Sequence, residues 1–322
     1  ALRKASFEHS IKKYSEMKEI DSMNIKIVDE EDREKLIEQS NTVLDYIKKV
    51  HHVNLKGNHY VLKSSGMSTT IVLSYKNERV ILDEEGADRF TTRTFYFDAT
   101  TKIDCDNISD DDKLMVFPYV SVYTLGTNKG WGMSHVSDLS PITYNEDSFD
   151  YLVLEENKKE ILKGLINGHK INNLEDFIDN KGTGLVFLLY GPPGVGKTLT
   201  AEATCEYLRK PLFNINIGDL GINPESMEAT MERVIDYSRR WDAIILIDEA
   251  DIFLEEREHS NIMRNAMVST FLRFLEYNKG IIFLTTNRIN SLDIAVKSRV
   301  NLFLCYQSFT LARRKEVWKS LL

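Results

Sequence analysis

The chain has 322 residues, long enough for two domains that each bury a core, and its 42% hydrophobic and 28% charged content is that of an ordinary soluble globular protein. A formal charge of −8 gives no default attraction to nucleic acid or anionic lipid, and no apolar run approaches the ~20 residues of a membrane span. Three widely spaced cysteines, Cys105, Cys205 and Cys305, argue against a disulfide framework or a structural zinc site and fit an intracellular compartment, cytoplasmic or nuclear. The sequence starts at Ala1 without an apolar signal core or an initiator Met, so a targeting segment ahead of it stays open.

Residues 1–54 read as a charged helical segment. In "VDEEDREKLIEQSNTVLDYIKKV" the residues Leu36, Ile37, Val43, Leu44, Ile47 and Val50 fall at helical spacing, and "DEEDREK" is a solvated face. Residues 55–140 change texture. "HYVLKSS", "TTIVLSYKNERVILD", "TFYFDAT" and "LMVFPYVSVYTLG" are rich in β-branched and aromatic residues and predict a small β-rich domain. His51, His52 and His59 have no Cys or acidic spacing to complete a metal site and are expected at a helix end and its following loop. "DCDNISDDDK" (Asp104–Lys113) lacks the mid-loop Gly and closing Glu of a calcium loop and reads as solvated.

From 141 to 306 strands and helices alternate. A short buried run, Tyr151–Leu154, precedes a helix through about His169. The strands "GLVFLLY", "PLFNINI", "AIILI", "GIIFLTTN" and "NLFLCY" follow. Between them stand the helices "TLTAEATCEYLRK", one opened by Pro224 with Met227, Met231, Val234 and Ile235 on its stripe, and "RNAMVSTFLRFLEY". The alternation predicts an α/β fold, a parallel sheet with helices on both faces. Residues 307–322 begin one more helix.

Within this region Gly191, Pro192, Pro193, Gly194, Val195, Gly196, Lys197 and Thr198 fit G-x-x-x-x-G-K-[ST] between a strand and a helix, with Leu199 next on the cradle. Glycines let backbone N–H groups turn onto phosphate oxygens, and the helix adds its positive N-terminal dipole. Lys197 would reach the β- and γ-phosphates, and Thr198 would offer its hydroxyl to Mg²⁺. Asp248 and Glu249 end the strand "AIILI", where α/β sheets put their ligands. Asp248 would hold Mg²⁺ and Glu249 would polarise an attacking water; standing alone, the pair would serve equally to cap the next helix. Asn287 in "FLTTNR" is placed to orient that water, or is an ordinary polar strand end. Arg299 in "DIAVKSRVNLFL" has a functional reading only if a partner subunit brings its nucleotide to it.

These elements resemble the AAA ATPase module: "GPPGVGKT" its Walker A loop, "LIDEAD" its Walker B motif, "LTTNR" and "SR" its second region of homology. From about Leu114 to Leu322, two-thirds of the chain, the sequence is similar to a group of AAA proteins abundant in fungi. The phrases that carry this are "SFDYLVLEENKKEIL", "GTGLVFLLYGPPGVGKTLTAEA", "DEADIFLEER" and "RNAMVSTFLRFLEYNKGIIFLTTNR". The resemblance implies a P-loop NTPase core over 141–306, ATP and Mg²⁺ as cofactors, and hydrolysis of ATP to ADP and phosphate. It implies Lys197 and Thr198 on phosphate and metal, Asp248 and Glu249 as the metal and water-activating acids, and Asn287 as a sensor. It further implies Arg299 as a finger donated across a homo-oligomeric, usually hexameric, ring, Asp150 and Tyr151 near the adenine, and an unknown protein substrate or adaptor. Two departures stand out. The pore region "GDLGINPESME" has no aromatic residue, leaving Leu220 or Ile222 to grip weakly. Residues 307–322 resemble only the start of the helical lid that normally closes over the nucleotide and helps form the ring. An ATPase that remodels a protein partner is therefore expected, with a nucleotide-dependent interaction switch as the alternative. A small-molecule kinase shares the loop, but nothing in the sequence supplies its acceptor pocket.

Overall fold

The computed structural model describes residues 2–3, 29–65, 68–90, 102–103, 108–126, 129–152, 154–171, 184–221, 223–254, 262–288, 292–311 and 314–315. The chain divides into two compact units, Ala1–Ile142 and Thr143–Leu322.

The first unit runs β1 (Leu2–Arg3), α1 (Glu30–Lys48), β2 (His51–Ser65), β3 (Ser68–Leu82), α2 (Glu84–Phe90), β4 (Lys102–Ile103), α3 (Asp110–Lys113), β5 (Tyr119–Thr124), β6 (Gly130–His135) and β7 (Leu139–Pro141). Helix α1 starts where the Asp29 carboxylate accepts from the Asp32 amide at 2.8 Å, and Glu30, Glu31 and Asp32 complement its dipole. It buries Val43 and Leu44 against Leu55, Val80, Leu82, Val120 and Val122. Strands β2 and β3 form one long antiparallel hairpin, from His51↔Leu82 to Ser65↔Ser68. β3 then pairs with β5, β5 with β6, and β6 returns to β2 at His59↔Ser134. The four strands close on themselves, and β7 adds to β2. The segment "TFYFDAT" and residues 104–107 lie outside the described residues.

One expectation is corrected here. His51, His52 and His59 stand in strand β2, not at a helix end and loop. The inward positions of this strand are Val53, Leu55, Gly57 and His59. A glycine and a histidine in the buried set interrupt the apolar alternation by which a strand is read from sequence. His59 is 2% exposed. It fits because Gly132, diagonal to it on the facing strand β6, has no side chain, and a Cβ there would run into the imidazole ring. Its Nδ1 lies 3.4 Å from the Ser134 hydroxyl. Burial, aided by the Lys76 charge, lowers its pKa to about 4. The unfolded chain therefore takes up a proton near pH 6.5 that the folded unit refuses until about pH 4. The stability held above pH 6.5 is lost as the pH falls through that window, by about 3 kcal/mol at most. Urea unfolding of the chain at pH 7 and pH 4.5 should show this acid loss, and His59→Leu should lack it.

The second unit runs α4 (Glu156–Ile171), β8 (Leu185–Tyr190), α5 (Lys197–Leu208), β9 (Leu212–Ile215), α6 (Pro224–Trp241), β10 (Ile244–Ile247), α7 (Asp251–Leu254), α8 (Ile262–Tyr277), β11 (Ile281–Thr286), α9 (Ile294–Lys297) and β12 (Leu302–Cys305). The strands lie in the order β12-β8-β11-β10-β9, and every pairing is parallel. "LVFLL", "IILI" and "IIFL" are continuous apolar runs because a parallel sheet is covered on both faces. Phe187 and Phe283 stack on neighbouring strands at 5.0 Å, within a core that includes Leu162, Ile166, Leu189, Ala201 and Leu246. Helix α6 opens as its sequence dictates: the Asn223 side chain accepts from the Ser226 amide at 2.8 Å and Pro224 takes the first turn. This is the predicted α/β architecture, preceded by an antiparallel β-rich unit. The run Tyr151–Leu154 is not uniformly buried. Tyr151 is 48% exposed while Leu152 is 4% exposed, because a 3-10 turn at Glu146–Phe149 precedes them instead of a sheet strand. The helix expected over 307–322 falls largely outside the described residues.

The chain leaves β8 for the far edge of the sheet and later returns past it to β12. The carboxyl ends of β8, β11 and β10 consequently stand side by side at the reversal of strand order, the position where open α/β sheets bind ligands.

Candidate functional site

Residues 191–196 connect β8 to α5. Gly194 at φ +74° and Gly196 at φ +93° adopt left-handed backbone that a side chain would strain. Gly191, at φ +147°, is tighter still: a Cβ there would press on the Tyr306 carbonyl oxygen and come within 2.9 Å of the Tyr306 Cβ. The Tyr306 amide is itself tied to the Tyr190 carbonyl at 2.8 Å, so this wall cannot retreat freely. Gly191→Ala should cost about 1–3 kcal/mol in denaturant unfolding of this unit.

Lys197 is 8% exposed, and all three of its ammonium donors are used. Nζ donates to the Gly191 carbonyl at 2.8 Å, the Pro192 carbonyl at 2.7 Å and the Asn287 side-chain oxygen at 2.9 Å. Burial lowers its pKa, while Asp248, Asp251 and Glu249 pull it back up. The Thr198 hydroxyl lies 3.5 and 3.4 Å from the two Asp248 oxygens. Pro193, Gly194 and Leu199 are exposed on the loop and first turn, whereas Val195 is buried in the core. Glu249 is exposed and sits at φ +54°, a conformation a non-glycine residue holds only under constraint. The constraint is visible: its amide donates to the Thr285 hydroxyl at 3.0 Å, and the next amide, Ala250, donates to the Thr285 carbonyl at 2.9 Å. The same Thr285 hydroxyl donates to the Asp248 carboxylate.

Sequence reading passed over Thr285, yet it fastens both acids from the neighbouring strand. Its signal was a hydroxyl at the end of a buried strand in parallel register with β10, and that register becomes visible only once the strands are paired. Thr286 turns instead to Asp251 and to the Arg288 backbone. Tyr306 was also missed. It is buried, its pKa is pushed up to about 12 by burial, and its hydroxyl meets Thr200 at 2.6 Å. Glu202, one turn along α5 from Thr198, is raised by burial and by Asp248 and Glu206.

The remaining residues are distributed. Asp150 and Tyr151 are exposed, and their neighbours Phe149 and Leu152 share the core that holds Val195. Arg299 stands at the opposite edge of the sheet. Two residues on, the Asn301 amide donates to the Val186 carbonyl at 2.9 Å, near the start of β8. At 3.3 Å per residue, that is about 16 Å from the glycine-rich loop 191–196. Leu220 is fully buried in a 3-10 turn, Ile217–Leu220, so it is not free to grip a polypeptide; Ile222 lies outside the described residues.

A neutral hydroxyl beside one carboxylate suits Mg²⁺, a hard cation that keeps waters and phosphate oxygens as its other ligands. Among the described residues no group of three or more His, Cys, Asp or Glu side chains is placed to hold a metal, and such a site does not require one. No helix among the described residues is long and apolar enough to cross a membrane.

Residues 187–307 match the family model of the ATPase family associated with various cellular activities (AAA). The chain is 30% identical over 135 residues to ATPase family AAA domain-containing protein 3A of Rattus norvegicus, covering 40% of this chain and 22% of that protein. It is 27% identical over 161 residues to the Drosophila melanogaster homolog, covering 48% and 26%. An uncharacterized AAA family ATPase of Sinorhizobium fredii is 32% identical over 119 residues, covering 35% and 36%. The matched stretch thus spans between 22% and 36% of these relatives. Among solved structures, the FIGL-1 AAA domain in complex with ADP aligns over 56% of this chain and 62% of that one, at 24% identity and a TM-score of 0.43. A chain of the E. coli MS115-1 HORMA:CdnC:Trip13 complex aligns over 55% and 70%, at 20% identity and a TM-score of 0.41.

Proposed function

The chain belongs to the AAA ATPases, and on that premise we propose that it is a Mg²⁺-dependent enzyme hydrolysing ATP to ADP and phosphate in a homo-oligomer that acts on a protein partner. The observation that carries this reading is the convergence of Lys197, Thr198, Asp248, Glu249 and Asn287 on one carboxyl edge, from β8, β10 and β11. Bound Mg²⁺ would draw charge from the reacting phosphoryl group; Thr198 and Asp248 are the residues that would hold it.

The chain's own groups do the rest. The backbone amides of Gly194, Val195 and Gly196 and the N-terminus of α5 receive the phosphates; Pro192 and Pro193 have no N–H to give, and the Gly191 amide is tied to the Thr286 carbonyl. Lys197 exchanges carbonyl partners for phosphate oxygens, which releases the Asn287 amide to hold the attacking water. Glu249, aimed outward by its constrained backbone, accepts that water's proton. Asp150 and Tyr151 border the base. Arg299, at the far sheet edge, serves the nucleotide of a neighbouring subunit rather than its own.

A second reading is a nucleotide-dependent switch. The buried Leu220 and the absence of an aromatic residue at the turn Ile217–Leu220 favour it over polypeptide threading. Steady-state ATPase rate per subunit, measured against protein concentration, separates the two. A rate that rises with concentration and vanishes in Glu249→Gln supports the enzyme. Tight ATP binding without turnover at any concentration supports the switch.

A further inference from the structure

Arg299 is not free in this structure. Its Nη2 donates to Glu276 Oε2 at 2.7 Å and its Nη1 to the Ala295 carbonyl at 3.0 Å, while Nε is buried with no partner among the described residues. The side chains of Arg299 and Glu276 are 29% and 40% exposed, so the pair is neither dry nor fully solvated. Glu276 comes from the last turn of α8 and Arg299 from the turn between α9 and β12, so the contact joins two separate elements.

The geometry points to Glu276 as a latch that holds Arg299 away from its target; this rests on the reading of Arg299 as a residue acting on a neighbouring subunit's nucleotide. Two features of the pair give the latch its character. A carboxylate on the guanidinium cancels the charge that transition-state stabilisation requires, so Arg299 must leave Glu276 to act at full strength. The held state is also under-satisfied, because a buried N–H without an acceptor carries a desolvation cost. A phosphate oxygen arriving from a second subunit offers acceptors that Glu276 does not supply to Nε. The held state is thus stable enough to prevail in a lone subunit and open to displacement on assembly. Glu276 acts through Arg299 and is a positioning residue.

The test is the ATPase rate per subunit against protein concentration for the wild type, Glu276→Gln, Arg299→Ala and the double variant. Glu276→Gln keeps the shape and a hydrogen-bonding oxygen but removes the charge. It should raise the rate per subunit at intermediate concentration by about two- to fivefold, the scale of a half-exposed ion pair. The double variant should match Arg299→Ala alone, since a latch has nothing to hold once the arginine is gone; a merely structural Glu276 would lower the rate in both backgrounds. If Glu276→Gln leaves the rate unchanged or lowers it while Arg299→Ala is impaired at high concentration, the latch is overturned and the finger stands. If Arg299→Ala is unimpaired at high concentration, both fall together.

Discussion

Lys197→Ala is expected to lose nucleotide binding and turnover together. The ammonium is 8% exposed and sits where the loop, α5 and the end of β11 meet, tied to Gly191, Pro192 and Asn287. A charge-assisted contact of this kind contributes about 1.5–3 kcal/mol, so its removal should weaken ATP binding by roughly ten- to a hundredfold. Turnover should fall a further hundred- to thousandfold, as for loss of one donor to developing charge. The substitution also strands two carbonyls that Lys197 satisfies. A nucleotide-free melt beside the binding titration separates misfolding from a folded protein that no longer holds phosphate. A folded Lys197→Ala protein that binds ATP at wild-type affinity would remove the loop from the proposed function.

Glu249→Gln should behave differently, with ATP bound and turnover down by about 10²- to 10⁴-fold, the usual share of a general base. Glutamine preserves the size and leaves the backbone constraint untouched, because that constraint runs through the amides of Glu249 and Ala250 to Thr285. The loss should therefore appear in kcat with little change in KM. Thr285→Val makes a useful companion: it removes the hydroxyl that fastens both acids, so it should lower turnover while Glu249 itself is intact. Nucleotide binding by equilibrium titration and single-turnover rates would check both variants.

What was legible in the sequence is what is local in the chain. The glycines and lysine of the loop 191–198 announce themselves within eight residues, and the alternation of apolar strands with amphipathic helices gives the sheet. Arg299 and Asn287 could be named, but their surroundings could not. The bond from Lys197 to Asn287 spans 90 residues of sequence, and that from Thr285 to Asp248 spans 37. Both exist only because β11 lies between β8 and β10. His59 was misplaced for a related reason. An inward histidine accommodated by Gly132 on the facing strand is a packing solution between two strands, and neither strand shows it alone.

The closed sheet of the first unit has a weak seam. β2 and β3 are in register along their whole length, whereas β6 meets β2 only at His59↔Ser134 and Tyr60↔Met133. The hairpin is a local structure that forms early, and the seam joins residues 75 apart in sequence and forms after it. Breathing of this unit should therefore begin there, with the amides of His59, Tyr60, Met133 and Ser134 exchanging with solvent before those at the β2–β3 base. Each such opening uncovers His59. Mild acid would then hold the seam apart by charging the ring, so that a late-closing part of the sheet is also the part that senses pH.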